Sequence, residues 1–257
     1  MAPLFSHHNI KLDDGTWTAP EMPPIEENHV SISAKRVLQT VFPGERRNVR
    51  LADLGCLEGG YAVAFARMGF SVLGVEVREC NYAACCHVKE RLGLPNLEFV
   101  RDDARNLGKY GPFDGVFCCG LLYHMDRPKL FLQTISDATS KLLYLQTHFA
   151  TDRPNAESQL SALDTHEGLK GRWYTEFPDA KAFAQRENSR WASWDNSRSF
   201  WIRREDLLQT IQDVGFDTVL EQFDHLGKDM ARELTEGCYR IQERSTFIGI
   251  KTGIRKK

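Results

Sequence analysis

A glycine-rich segment, residues 51–60, carries the side chains with the clearest chemical implication. It reads Leu-Ala-Asp-Leu-Gly-Cys-Leu-Glu-Gly-Gly and lies where an apolar strand is followed by a helix. Glycine lets the backbone pass close to a ligand, and the start of a helix offers free N–H groups. Loops that hold a pyrophosphate use the spacing GxGxxG, which is absent here. Asp53, at the end of the strand, would repel a pyrophosphate and attract an ammonium group, such as that of a methionine moiety.

Further acidic positions follow the next two predicted strands. Glu76 ends the second strand, 23 residues after Asp53 (76 − 53 = 23), and a carboxylate there can accept hydrogen bonds from both hydroxyl groups of a ribose. Asp102, Asp103 and Ala104 follow the third strand. A carboxylate there can receive an adenine amine, and the next backbone N–H can reach a ring nitrogen. Because an open α/β sheet binds its ligand beyond the carboxyl ends of its strands, these positions predict a nucleoside site.

A regular alternation of strands and helices must hold these residues in place. Short apolar segments alternate with longer segments of helical character, which predicts a parallel sheet covered by helices on both faces. Right-handed crossovers then leave little freedom in the order of the strands. The predicted strands are 49–54, 71–77, 97–100, 113–119, 141–147, 218–223 and 245–252, and the predicted helices are 28–41, 61–68, 78–92, 128–139 and 203–214.

Two regions depart from this alternation. Residues 1–44 combine an irregular, proline-containing start with one helix, and we predict an N-terminal flap and helix ahead of a main domain at 45–257. Residues 148–200 are polar, rich in tryptophan and arginine, and longer than an ordinary connection. We predict that this insertion, which follows the fifth strand, forms a lid over the active site.

The order of these landmarks resembles the class I S-adenosylmethionine-dependent methyltransferases. The matching residues are Asp53–Cys56, Gly59, Glu76, Asp103–Ala104 and Phe113–Val116. The resemblance is best over residues 45–147. It implies a Rossmann-like, doubly wound α/β fold with seven mostly parallel strands, the last of them antiparallel, and S-adenosylmethionine as the cofactor. Leu57 departs from the family, which usually has glycine at this place.

The resemblance and the strand ends together identify the residues that we expect to contact the cofactor. The methionine part is assigned to Asp53, the ribose to Glu76 and the adenine to the acids after the third strand. The full set is Asp53, Gly55, Cys56, Leu57, Gly59, Glu76, Val77, Asp102, Asp103, Ala104 and Cys119.

A second resemblance concerns the residues after the fourth strand. Gly120–His124, followed by Asp126–Pro128, and later Ser199–Ile202 look like the corresponding segments of the tRNA wobble-uridine carboxymethyltransferases and their small-molecule relatives. This implies either an RNA substrate or a small molecule. The formal net charge of -2 argues against tRNA, and so does the lack of a large additional RNA-binding region.

Two histidines and one aspartate are the candidates for acid–base chemistry at the acceptor. Methyl transfer requires the accepting atom about 3 Å from the methyl carbon in a site that excludes water. A hydroxyl acceptor must also lose its proton, and histidine suits this near neutral pH. His124 follows the fourth strand, His148 ends the fifth, and Asp126 could orient a histidine or bind the acceptor. His124 could instead cap the following helix or brace the cofactor loop.

The insertion and the residues just after it supply the candidates for substrate binding. Trp191, Trp194, Arg198 and Trp201 lie in a run of aromatic and arginine residues. Aromatic faces beside polar groups suit a sugar ring or a flat acceptor, and arginine suits a carboxylate or a phosphate. The same mixture could stack single-stranded nucleic acid, or the tryptophans could simply pack inside a folded lid.

Composition narrows the class of protein. The 257 residues suffice for one large domain, and no apolar run approaches the roughly 20 residues that cross a bilayer. The start of the chain lacks the pattern of a signal peptide, so we expect a cytoplasmic protein. Seven cysteines without CxxC spacing predict reduced thiols rather than disulfides or zinc. His166-Glu167 alone is weak support for a metal, and we expect none.

Three functions fit these observations. The first is a small-molecule methyltransferase that acts on oxygen in a sugar or another polar metabolite. The second is an RNA-modifying enzyme of the wobble-uridine type, and the third is a non-catalytic protein that binds the cofactor. The fold alone does not choose between them. We expect a small-molecule acceptor and no membrane partner, and the sequence leaves the oligomeric state open.

Overall fold

Helices and strands alternate along most of the chain. The structure is a computed structural model, and it describes residues 3–153, 159–226, 228–236, 239 and 243–253. The strands are β1 (Arg50–Leu54), β2 (Ser71–Glu76), β3 (Leu97–Arg101), β4 (Phe113–Cys119), β5 (Thr139–His148), β6 (Asp164–His166), β7 (Leu169–Thr175), β8 (Arg198–Ile202), β9 (Thr218–Gln222) and β10 (Arg244–Ile250). The helices are α1 (His29–Val41), α2 (Gly60–Arg67), α3 (Glu79–Leu92), α4 (Pro128–Ala138), α5 (Ala180–Ala184), α6 (Arg204–Asp213) and α7 (Met230–Thr235).

Seven of the strands form one sheet, in the order β3-β2-β1-β4-β5-β10-β9. The pairs β1–β2 and β2–β3 are parallel, whereas β10 runs antiparallel to both of its neighbours, β5 and β9. The predicted elements are found within two residues of their expected bounds. The predicted seven-stranded, mostly parallel Rossmann-like fold is therefore confirmed.

Contacts group the chain into two compact units, Met1–Phe117 and Cys118–Lys257. In the first unit, β1 and β2 are buried along almost their whole length, as parallel strands covered on both faces must be. The helix α2 buries every residue from Ala62 to Ala66, so it is apolar around most of its circumference. The loop that joins β1 to α2 is thus fixed at both ends by buried elements.

The predicted N-terminal flap and helix belong to the first unit. A bridge between Lys11 and Trp17 closes a short turn in the flap. The helix α1 follows, and Asn28 caps it by accepting the backbone N–H groups of Val30 and Ser31 at 2.9 and 3.4 Å. The cap satisfies donors that the first turn of a helix leaves without partners.

In the second unit, the predicted insertion builds a small sheet of its own. The strands β6, β7 and β8 form a three-stranded antiparallel sheet, although the sequence pattern predicts no regular structure within residues 148–200. The pairing of β7 with β8 joins segments that are far apart in the chain, with Trp173 opposite Phe200. Such a pairing leaves no hairpin signal in the sequence.

Two further observations concern the cysteine side chains and the length of the helices in the described residues. Six cysteines are free thiols, and the seventh, Cys238, lies outside the described part of the chain. Within the same part of the chain, no helix is both long and apolar enough to cross a bilayer.

Two glycine-to-alanine substitutions provide a matched test of the loop before α2. Gly59 has φ +82°, and a Cβ there would lie 2.6 Å from the Phe99 ring, whereas Gly93 has φ +55° and open space around its Cβ position. Both substitutions strain a left-handed backbone by about 1–2 kcal/mol, but Gly59→Ala adds a steric conflict of about 1–3 kcal/mol. Urea denaturation is expected to show a clearly larger loss of unfolding free energy for Gly59→Ala. Equal losses would mean that the approach of Phe99 is not tight.

Candidate active site

Asp53 is the most deeply buried acidic group of the predicted donor site. It lies near the end of β1 and is 2% exposed. Its carboxylate accepts the backbone N–H of Ala62 in α2, while Oδ2 has no hydrogen-bond partner within the described residues. Burial, with the nearby charge of Glu76 as a smaller contribution, raises the pKa of Asp53 to about 8. A buried carboxylate oxygen without a donor favours a bound donor, ideally a cationic one.

Glu76 occupies the end of β2 and is held by the backbone around it. One of its oxygens accepts the N–H of Leu57 at 3.0 Å, and the other accepts the N–H of Arg78 at 2.8 Å. Burial raises the pKa of Glu76, while the Arg78 N–H and the Arg78 charge act in the opposite direction. Since each carboxylate oxygen has two lone pairs, both oxygens can still accept a hydrogen bond from a hydroxyl group.

Leu57 shows how the sequence keeps the loop geometry without the usual glycine. Its φ is +50°, a left-handed conformation that costs a non-glycine residue about 1–2 kcal/mol. The conformation is retained because both backbone groups of Leu57 are bonded. Its N–H donates to Glu76 and its carbonyl accepts the Cys85 thiol at 3.0 Å. The departure from the family at this residue therefore leaves the backbone conformation in place.

Two residues that were not among the predicted site residues, His8 and Glu58, bind the N-terminal segment to the glycine loop, residues 51–60. Glu58 accepts the backbone N–H groups of Ser6, His7 and His8 at 2.8–3.0 Å. His8 Nδ1 accepts the N–H of Gly60 at the start of α2, at 3.0 Å. Burial is the main reason that the pKa of His8 is lowered to about 4, so the ring is neutral near pH 7 and able to accept.

The acids after β3 divide into two roles. Burial opposes ionisation of Asp102, but hydrogen bonds from Tyr110, Asn106 and the Asp103 N–H outweigh it and lower the pKa of Asp102 to about 2. Asp102 therefore braces its own loop. Asp103 caps the following 3-10 helix and pairs with Arg105 at 2.6 Å. The assignment of Asp102, Asp103 and buried Ala104 to the adenine, and of Val77 to the nucleoside, stays a prediction.

In the second unit, His124 pairs with a carboxylate that the sequence analysis missed. His124 ends a 3-10 turn after β4, and its Nδ1 lies 2.8 Å from Oε1 of Glu176. Glu176 directly follows β7, and its side chain is 1% exposed, compared with 13% for His124. Asp126, the carboxylate predicted to orient a histidine, is not the one in contact with His124, and its use in acceptor binding stays a prediction. No local pattern could have indicated Glu176, since 52 residues separate the pair.

His148 and Trp201 meet His124 through the ring of Tyr123. The ring of Tyr123 lies 4.3 Å from that of His124 and 4.6 Å from that of His148, between centroids. His148 stacks on Trp201 at 4.7 Å, and Tyr174 stacks on Trp201 at 5.4 Å. Trp201 is 6% exposed and donates its indole N–H to the Tyr123 carbonyl. The buried Trp201 ring therefore holds Tyr123 by a hydrogen bond and His148 by stacking.

Cys119 belongs to a polar group on the same unit. Its thiol donates to Oε1 of Gln146 at 3.1 Å, and Nη2 of Arg244 donates to the same oxygen at 2.9 Å. The Arg244 guanidinium also lies 5.7 Å from the Tyr123 ring centroid. Burial raises the pKa of Tyr123, and the Arg244 charge lowers it by a smaller amount. The contact of Cys119 with the cofactor stays a prediction.

The other predicted substrate residues lie in separate clusters of the insertion. Trp191 is 52% exposed. Trp194 is covered by Arg186, whose guanidinium is 5.1 Å from the ring, and Arg198 stacks on Trp173 at 4.5 Å. Their role in acceptor binding stays a prediction.

The His166-Glu167 pair has a structural use. Glu167 accepts the backbone N–H of Lys129 at 2.9 Å at the start of α4, and His166 packs against Trp173 and Phe200. No cluster of three or more histidine, cysteine or acidic residues suited to a metal occurs in the described ranges.

Comparison with known sequences gives one matching family and one curated relative. A family model described as a methyltransferase domain matches residues 51–141. A protein of Geobacillus sp. (strain WCH70), named "Putative methyltransferase", is 32% identical over 89 residues. The aligned part is 34% of this chain and 36% of the relative, so the chain matches about a third of the length of that relative.

Solved structures with the same fold cover nearly the whole chain. The N-terminal domain of EvdMO1, crystallised in the presence of SAH and D-fucose, has a TM-score of 0.66 at 23% identity, over 95% of this chain and 90% of that one. A 1,6-didemethyltoxoflavin-N1-methyltransferase of Burkholderia thailandensis, with 1,6-didemethyltoxoflavin and S-adenosylhomocysteine bound, has a TM-score of 0.55 at 15% identity, over 88% of this chain and 80% of that one. A magnesium protoporphyrin IX methyltransferase of Synechocystis PCC 6803 with bound SAM has a TM-score of 0.53 at 14% identity, over 89% and 84%.

At these identities the structural likeness establishes the fold, while the matched family model spans the glycine-rich loop, Asp53, Glu76 and the acids after β3. Residues 51–141 match a methyltransferase domain, and the chain has the fold of solved S-adenosylmethionine-dependent methyltransferases, which confirms the predicted fold.

Proposed function

We propose that this protein transfers the methyl group of S-adenosylmethionine to a hydroxyl group of a small polar acceptor, such as a sugar. The observation that carries the proposal is the buried carboxylate of Asp53, whose Oδ2 has no hydrogen-bond partner in the described part of the chain. It lies in the first unit, in a methyltransferase domain. A cationic amino group is the donor that such an oxygen favours.

The residues present in the first unit suit each part of the cofactor. Asp53 would hold the ammonium group of the methionine part, and Glu76 would accept both ribose hydroxyls with its remaining lone pairs. Asp103 and Ala104 are assigned to the adenine, as the family resemblance implies. When bound, the cofactor supplies an electrophilic methyl carbon on a sulfonium. The protein residues hold it and keep the loop from rearranging.

Acceptor chemistry is assigned to the second unit. A hydroxyl group must lose its proton as it is methylated, and His124 is the base that we assign to this step. His148 and Tyr123 pack against each other, and we assign them to the wall of the acceptor site. The EvdMO1 domain was crystallised in the presence of D-fucose, which supports a sugar as the first acceptor to test here. The N-methyltransferase of Burkholderia thailandensis is the reason to test nitrogen acceptors as well.

Cofactor affinity is the first test. Asp53→Asn and Glu76→Gln each remove a charged hydrogen-bond acceptor, which costs about 1.5–3 kcal/mol, or roughly one to two orders of magnitude in affinity. Titration calorimetry with S-adenosylhomocysteine would measure the dissociation constants. Asp137→Asn, on the exposed side of α4, is the control and should bind like the wild type. Unchanged affinity in both test variants would remove the donor-site assignment.

The stability of the ligand-free protein gives a second test, with opposite signs at two aspartates. Because the pKa of Asp53 is raised to about 8, ionising it costs stability as pH rises from about 4 to 8. Asp53→Asn should therefore stabilise the protein at pH 8, by a few kcal/mol at about 1.4 kcal/mol per pKa unit. The pKa of Asp102 is lowered to about 2, so its ionised form stabilises the fold above pH 4, and Asp102→Asn should destabilise it. Thermal denaturation at pH 5, 7 and 8 would measure both, and the same sign for the two variants would contradict this account.

Acceptor identity is tested by methyl transfer from cofactor labelled in the methyl group. D-Fucose, other hexoses, amine-containing metabolites and unmodified tRNA would be offered in parallel, with the product located by mass spectrometry. We expect the label on oxygen of a sugar-like compound. His124→Ala should lower kcat about 10²- to 10⁴-fold with cofactor affinity unchanged. Label on tRNA alone, or on nitrogen alone, would refute the proposed acceptor class.

A further inference from the structure

We propose that Glu176 is the positioning residue of the acceptor base, fixing His124 in the tautomer that leaves Nε2 free to accept a proton. This inference rests on the proposed O-methylation for its catalytic meaning, but its structural basis is independent of the acceptor. Within the insertion, Glu176 is a buried carboxylate bonded to a histidine of the second unit.

The contact favours one tautomer when Glu176 is ionised. Nδ1 of His124 and Oε1 of Glu176 are 2.8 Å apart, which is a hydrogen-bond distance. An ionised carboxylate only accepts, so Nδ1 must be the nitrogen that carries the proton. In a neutral imidazole the other nitrogen, Nε2, then has a lone pair. A general base needs that lone pair.

Hydrogen bonds to both oxygens and to the backbone hold Glu176 in this orientation. Ser199, in β8, donates its hydroxyl to Oε1 at 2.7 Å, and the backbone N–H of Ser193 donates to Oε2 at 3.0 Å. The backbone N–H of Glu176 donates to the Ser197 carbonyl at 2.9 Å. With His124, three donors surround the two carboxylate oxygens, a set that suits an ionised acceptor.

His124 is also fixed on its backbone side. Its carbonyl accepts the side-chain amide of Asn196 at 3.2 Å. The neighbouring Tyr123 packs its ring on that of His124 and bonds its carbonyl to Trp201. The imidazole retains some exposure while the carboxylate has almost none. The more exposed member of the pair is therefore the histidine, the one assigned as the base, and the buried member orients it.

The proton and charge balance of the proposed step is simple. As the acceptor oxygen bonds to the methyl carbon and the carbon–sulfur bond breaks, the hydroxyl proton passes to Nε2 of His124. The positive charge of the bound cofactor would thereby be replaced by the charge of an imidazolium, and a neutral thioether would remain. Glu176 stabilises the imidazolium and stays ionised itself. The proton later leaves to solvent.

The tautomer can be observed directly by nuclear magnetic resonance of the full-length protein labelled with ¹⁵N-histidine. Two-bond correlations should show a protonated Nδ1 and an unprotonated Nε2 for one ring, and that signal should be absent in His124→Gln. In Glu176→Gln the amide can donate as well as accept, so the signal should shift to the other tautomer or to a mixture. Glu167→Gln removes a well-buried glutamate that caps α4 in the same unit, and it should leave the signal unchanged.

Kinetics with the identified acceptor separate positioning from a purely structural role. We expect Glu176→Gln to lower kcat about 10²- to 10⁴-fold with KM and cofactor affinity within about twofold, and Glu176→Asp to restore part of the rate. A kcat loss no larger than that of Glu167→Gln, with an unchanged tautomer, would overturn the proposal. If Glu176→Gln does not fold, the wild-type spectrum decides by itself: an Nε2–H tautomer of His124 would overturn the proposal. Methylation on nitrogen with the Nδ1–H tautomer intact would refute the proposed function and leave the pairing standing.

Discussion

Burial of two carboxylates at the ends of neighbouring strands is the constraint on which the donor site depends. Asp53 and Glu76 are almost fully removed from water, and a buried carboxylate is costly unless donors surround it. Backbone N–H groups satisfy Glu76 on both oxygens, but Asp53 is left with one oxygen that has no donor in the described residues. A cationic group is the partner that this oxygen would favour.

The glycine loop must keep its shape for such a partner to bind. Leu57 adopts a conformation that a leucine avoids, and its bonds to Glu76 and Cys85 hold it there. From the other side, Glu58 gathers three N–H groups of the N-terminal segment, and the neutral ring of His8 accepts from Gly60. These hydrogen bonds join the N-terminal segment to the loop, so each stabilises the conformation of the other.

The insertion has a comparable role in the second unit. Its strands β7 and β8 bring Glu176 and Ser199 together, and Trp201 packs against Tyr174 and His148. Trp201, one of the predicted substrate-binding residues, is 6% exposed and packed between these rings. The carboxylate that the insertion places against His124 is buried, whereas Trp191 in the same insertion is 52% exposed. Precision at a base requires rigid support, and a small antiparallel sheet provides it.

The sequence by itself determined the features that depend on local pattern: the strands and helices, the seven-stranded sheet, and the acids that end β1 and β2. These follow from apolar periodicity and from the rule that parallel strands end at one edge. Only the tertiary structure decided that His8 meets Gly60 and that Glu176, rather than Asp126, meets His124. Each of these pairs lies 52 residues apart. Long-range packing sets such contacts, and neither composition nor spacing carries a signal for them. Leu57 also needed the structure, because its left-handed backbone is stabilised by bonds to β2 and α3 rather than by its own preference.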